Sequence, residues 1–246
     1  MRIRLVLAIS AMIVISLSAP TSQATAPTIE QMPVQLETQL ALSALPPALR
    51  GHATIYLLDP NNGYHLFRQG TNGVTCLVER TAWEQVDFRD DIYVPICYDA
   101  EGSKTYLKVI MDVAALRIQG MHSVALKAEI ENRYQNKTYQ IPEKGGVSYM
   151  VAPILRTWTL PDWNVHTRSM PHLMFYAPHI TNEDIGAVSN VSLQYPFIFK
   201  EGIAEQSYII QLIGESEKTK ILVNEKALLD DLCAYRDVLC LSEATP

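Results

Sequence analysis

Apolar residues along the chain recur with two periods. In residues 34–44, Leu36, Leu40 and Ala44 fall at four-residue steps, which lines them along one helical face, and Pro46-Pro47 ends the run. Residues 104–119 repeat that spacing through Leu107, Ile110, Met111, Ala114 and Ile118, with Ser103 placed to cap the helix and Gly120 to end it. From Ser123, a second potential cap, to about Gln135, Ile130 and Tyr134 lie opposite Lys127, Glu129, Glu131 and Arg133. The two stretches together predict an αα-hairpin lying on a sheet. Residues 224–235 form a last amphipathic segment carrying Leu228, Leu229, Leu232 and Cys233.

Between the helices, β-branched and aromatic runs alternate with turn chemistry. Residues 53–58 and 64–68 flank Asp59-Pro60-Asn61-Asn62-Gly63 and read as a hairpin. Residues 74–78 and 92–98 are bracketed by Asn72-Gly73 and Ala100-Glu101-Gly102, so they read as two strands joined by a polar loop, with Cys76 and Cys97 stapling neighbours. Strands following so closely suggest an antiparallel meander. Residues 147–152, 172–177 (framed by Pro171 and Pro178) and 207–213 supply further strands, and the connector holding Trp158 and Trp163 reads as loop, as does the segment around Trp83. Thr181-Asn182-Glu183-Asp184 marks a turn or helix start. The fold class that follows is α+β: a mainly antiparallel sheet with a helical hairpin and N- and C-terminal helices, covered on one face and cross-linked by disulfides.

The N-terminus changes the picture from fold to compartment. Arg2 and Arg4, the apolar run 5–17 and Ser22-Gln23-Ala24 make a signal-peptide pattern over residues 1–24, with cleavage before Thr25. A flexible segment, 25–33, then precedes a single domain, 34–246, and the protein is expected to be periplasmic or secreted. Losing residues 1–24 removes two arginines and no acid, taking the formal charge from -6 to -8, which argues against nucleic acid and anionic lipid as partners. No later segment approaches the ~20 uninterrupted apolar residues of a membrane span. Four cysteines in an exported chain favour two disulfides. Cys233 and Cys240 would stand ~10 Å apart along an unbroken helix, so pairing them requires the helix to end between them.

The run GTNGVTCLV, followed by PICYDAEGS and later by PHLMFYAP, resembles a group of exported bacterial proteins with no established activity. Its landmarks here are Thr71-Asn72-Gly73, Cys76, Cys97-Tyr98-Asp99, Glu101-Gly102 and Pro171-His172, over roughly residues 53–213. The resemblance implies export and the Cys76–Cys97 link, and nothing about catalysis. The tail after Gly214, with its own cysteine pair, lies outside it.

Candidate chemistry is sparse. Nucleotide-binding glycine loops, the GxSxG elbow and HExxH are all missing from the sequence. Cys76 is either a thiol nucleophile with His172 as base or half of a disulfide, and the strand context favours the disulfide. His166, His172 and His179 are imidazoles of a type that binds zinc or copper, but an extended strand puts His172 and His179 some 23 Å apart on opposite faces, so no metal site and no cofactor is expected. The remaining catalytic arrangement pairs His172 with Asp99 or Glu101 as an acid-base couple, Asn72 as a polar donor and Tyr98 or Tyr176 as a wall, which would suit hydrolysis. Against it stands a non-enzymatic binding module for a small molecule, glycan or protein, recognised through Trp83, Trp158 and Trp163. Asn136-Lys137-Thr138 and Asn190-Val191-Ser192 match the glycosylation pattern, as coincidence in a bacterial setting.

Overall fold

Leucines at four-residue spacing make α1 (Val34–Ser43), and the prolines that stop it start the single turn α2 (Pro47–Arg50). The hairpin β1 (Thr54–Asp59) and β2 (Gly63–Arg68) follows, then β3 (Thr75–Glu79) and β4 (Val94–Tyr98), joined by a loop holding a short 3-10 turn, Trp83–Gln85. Next come α3 (Ala100–Lys104), α4 (Tyr106–Ile118), α5 (Ser123–Gln135), β5 (Val147–Met150), β6 (Leu155–Thr159), β7 (Asn164–Arg168) and β8 (His172–Tyr176). The chain closes with β9 (Phe197–Lys200), β10 (Ser207–Leu212), α6 (Glu215–Asn224) and α7 (Lys226–Tyr235). This computed structural model describes residues 28–159, 162–187, 195–200 and 203–241; the signal-peptide pattern of residues 1–24 and the Asn190 motif lie outside them.

Eight strands form one sheet in the order β2-β1-β3-β4-β5-β8-β10-β9, while β6 and β7 pair separately. The sheet is α+β and mainly antiparallel, as the sequence predicts, and the two disulfides Cys76–Cys97 and Cys233–Cys240 close as expected. The meander is corrected. β3 pairs with β1 in parallel and with β4 in antiparallel register, so β2 is left at the edge. The chain leaving β2 must cross close under the start of β1, and a Cβ on Gly70 would meet the Ala53 carbonyl carbon and His52 oxygen at 2.3 Å. Only glycine fits that crossing.

Side-chain alternation along β3 and β4 feeds two cores, so the expectation of one covered face is also corrected. Cys76, Val78 and Cys97 point to one side, where Leu36 and Leu40 of α1, Leu228 and Leu232 of α7 and Leu239 cover them. Leu77, Ile96 and Tyr98 point to the other, under Tyr106, Leu107 and Ile110 of α4. α5 stacks outside α4 through Leu126 and Ile130, burying Trp83 between them. Residues 28–33, expected to be flexible, are tied down: Met32 is buried in the first core and the Glu30 carbonyl accepts from Arg80. Capping differs too. Asp99 caps α3 one turn ahead of Ser103, and the His122 ring nitrogen, not Ser123, accepts from the Ala125 amide. At the far edge Asn182 seals β9, its side chain accepting from the Ile198 amide at 2.7 Å.

One buried acid opposes this packing. Glu37, 2% exposed on the sheet-facing side of α1, accepts a single backbone bond from Leu58 at 2.9 Å. Burial pushes its carboxyl up to about 7, against the lowering effects of the Leu58 bond and of Arg80. Because the folded pKa lies above the unfolded value, the contribution is present at acid pH and is lost as pH rises through about 7. Glu37 alone should therefore lower the unfolding free energy from urea denaturation between pH 5 and 8 by on the order of 3 kcal/mol. Glu84, which burial also raises to about 7, adds a fall of similar size, so Glu37→Gln should remove about half of the total slope. An unchanged slope in the variant would refute this assignment.

Candidate functional site

The residues of the proposed acid-base site do not converge. Asp99, just after β4, is engaged on both oxygens: Oδ1 accepts from the Glu101 and Gly102 amides at 3.0 and 2.9 Å and from the Tyr176 hydroxyl at 2.9 Å, and Oδ2 accepts from the Val147 amide at 2.9 Å. It joins α3, β5 and β8. Glu101 turns away to accept from the Glu143 amide at 3.0 Å. Asn72 spans the crossing under β1, donating to the Leu49 carbonyl and accepting from the Val74 amide. Tyr98 and Tyr176 are buried in the second core beside Tyr106.

His172 sits at the opposite end of β8. It pairs with Met150 while Asp99 bonds to Val147, three residues or about 10 Å further along β5. Its Nδ1 donates to the Met170 carbonyl at 2.7 Å, and burial lowers its pKa, so it is a neutral core histidine. The acid-base couple of His172 with Asp99 or Glu101 is therefore not formed. Cys76 is fully buried in its disulfide, which removes the thiol nucleophile. His166 and His179 lie on β7 and in the turn after β8, and no three His, Cys, Asp or Glu side chains gather into a metal-binding group among the described residues.

The tryptophans separate into three environments. Trp83 is buried, and Trp158, expected in a loop, sits on β6 against the second core. Trp163 alone of the three is exposed, at 44%, in the turn between β6 and β7. Its backbone is left-handed, φ 53°, and its indole N–H donates to the Gln85 side chain at 3.1 Å. Next to Gln85, Val86 is also left-handed, φ 56°. The hydrogen bond thus links two segments that each hold a bulky residue in a conformation that sterics disfavour, one that persists only when its surroundings enforce it.

Those surroundings are polar and well made. Asp162 accepts from the Asn164 amide and side chain and from His166 Nε2 at 2.9–3.2 Å, and these bonds, Asn164 first, hold its carboxyl well below the usual carboxylate range. At the base of the hairpin, Tyr93 and Arg156 exchange backbone bonds of 3.0 and 2.8 Å, and Arg156 and Arg89 clamp Asp91 at 2.5 and 2.7 Å. Burial of Asp91 works against its charge, yet the two guanidiniums bring its pKa down to about 2. The sequence predicts a loop here where the structure has a strand pair, although Pro161-Asp162 between two alternating stretches is a legible turn signal. No family, curated protein or solved structure matches the chain.

The Asp99 junction leaves no room at Gly146, where a Cβ would lie 2.4 Å from Asp99 Oδ2 and 2.6 Å from the Tyr176 ring. Gly146→Ala should cost about 2 kcal/mol of unfolding free energy in urea. Wild-type stability in that variant would show that the junction is loose.

Proposed function

We propose that this protein is an exported, non-enzymatic binding module whose ligand is a glycan, held on Trp163 and the polar side chains around it. Export is supported by the basic, apolar and small-residue pattern of residues 1–24 and by two disulfides. The non-enzymatic reading is supported by the use of His172, Asp99, Glu101 and Asn72 as structural hydrogen-bonding groups.

The observation that carries the ligand class is the exposed indole fixed by Gln85. With its N–H already engaged, Trp163 offers a ring face, suited to the C–H face of a pyranose, while Asn164, His166 and the Gln85 amide supply polar groups for hydroxyls. A compact metabolite needs a concave site, and Trp163 lines neither the small 10 Å³ cavity under α4 nor the 250 Å³ groove between α1 and α7. A flat platform suits a sugar unit within a longer chain, bound weakly and strengthened by repetition along the polymer.

Purified mature protein should be retarded in affinity electrophoresis by at least one soluble polysaccharide, and Trp163→Ala should weaken that retardation about tenfold or more. Equal retardation of the variant, or none for the wild type across a broad polysaccharide panel, would refute the reading. Expressed with its leader in a bacterial host, the exported form should begin at Thr25, and an uncleaved cytosolic chain would contradict export.

A further inference from the structure

The Trp163 platform is built from two separate pieces of chain, and the loop closed by the second disulfide touches both. α7 ends at Tyr235, and the chain turns through a 3-10 segment, Asp237–Leu239, before Cys240 returns to Cys233. Inside that loop, Val238 accepts from the Thr167 hydroxyl of β7, on the hairpin that carries Trp163. Arg236 donates to the Asp90 carbonyl at 3.1 Å and to the Tyr93 hydroxyl at 3.0 Å, at the end of the segment that carries Gln85 and Val86. Leu239 anchors the loop in the first core. The two disulfides differ in access: Cys76 and Cys97 have no exposed surface, whereas Cys233 and Cys240 are only partly buried.

We propose that Cys233–Cys240 is a reducible clasp whose redox state sets the order of the Trp163 platform, and so its binding. This rests on the glycan-binding reading for its consequence but not for its mechanism. The co-reactant is a dithiol. One thiolate attacks a sulfur of the pair, breaking the Cys233–Cys240 bond and forming a mixed disulfide; its second thiolate displaces the protein sulfur and closes an oxidised ring. Two electrons and two protons pass to the protein, leaving two thiols. With the cross-link gone, residues 236–239 regain chain freedom, and their bonds to Thr167 and Asp90 compete with that entropy.

The test uses the whole mature protein without denaturant. Dithiothreitol is titrated, samples are quenched with iodoacetamide, and peptide mapping locates the alkylated cysteines, while hydrogen exchange is followed in parallel. Carbamidomethyl groups are expected at positions 233 and 240 at reductant levels that leave 76 and 97 linked. In that state, amides of residues 83–92 and 155–168 should exchange roughly tenfold faster, with β3 and β4 unchanged. A Cys233→Ser/Cys240→Ser variant should show the same pattern without reductant; if it does not fold, the partly reduced wild type carries the test alone. Reduction of both bridges together, or exchange at 83–92 and 155–168 that ignores the state of the clasp, would overturn the proposal. Affinity electrophoresis of oxidised protein tests the other reading separately: absent retardation with a clear exchange response removes the glycan and keeps the clasp.

Discussion

A buried bond between facing residues of two central strands holds the register of this protein. Cys76 and Cys97 sit directly opposite one another in β3 and β4 with Cα atoms 4.0 Å apart, the close spacing of a non-hydrogen-bonded antiparallel pair. Side chains alternate across a sheet, so a slip of one residue would send Leu77 and Ile96 toward α1 and expose the cysteines to α4. Both faces of the sheet are covered, and both cores depend on that alternation. The cross-link spans a sequence separation of 21 and stabilises by about 3 kcal/mol on loop-entropy grounds, but its structural role is specificity of pairing.

From that fixed centre the polar side chains are drawn into architecture. Asp99 follows β4 immediately and spends both oxygens joining a helix N-terminus to β5 and β8. Asn72 and Gly70 manage the crossing that lets β3 lie parallel to β1. The Arg80 and Arg117 guanidiniums donate to the Arg89, Asp90 and Ile92 carbonyls and tie down the end of the loop between β3 and β4, the loop that also carries Gln85 and Val86. The exposed indole of Trp163 lies at the β6–β7 turn, on a hairpin that carries none of the acid-base candidates.

How much of this was legible depended on whether the signal was local. The helical runs at residues 34–44 and 104–119 and the strands around Cys76 and Cys97 were readable because burial on one face imposes periodicity, and that same period places the cysteines opposite one another. The parallel β1–β3 pairing was not, since β2 and β3 follow one another closely and only the steric demand at Gly70 reveals that the chain doubles back. β9 is only four residues long and α6 has no buried residue, so neither carries a strong pattern. Among the candidate site residues, identity was visible and environment was not. Asp99, Glu101 and Asn72 looked like solvated turn residues that could also do chemistry, and it is their partners, Val147, Glu143 and Leu49, all remote in sequence, that fix their role. Trp83 and Trp163 looked alike as loop tryptophans and separated only once α5 packed over the first.

Peptide mapping of unreduced protein tests the central constraint most directly. Proteolysis without reductant, followed by mass spectrometry, should yield one linked peptide pair containing Cys76 and Cys97 and a separate species linking Cys233 to Cys240. A bridge between either central cysteine and the C-terminal pair, or a free thiol at position 76, would contradict the account.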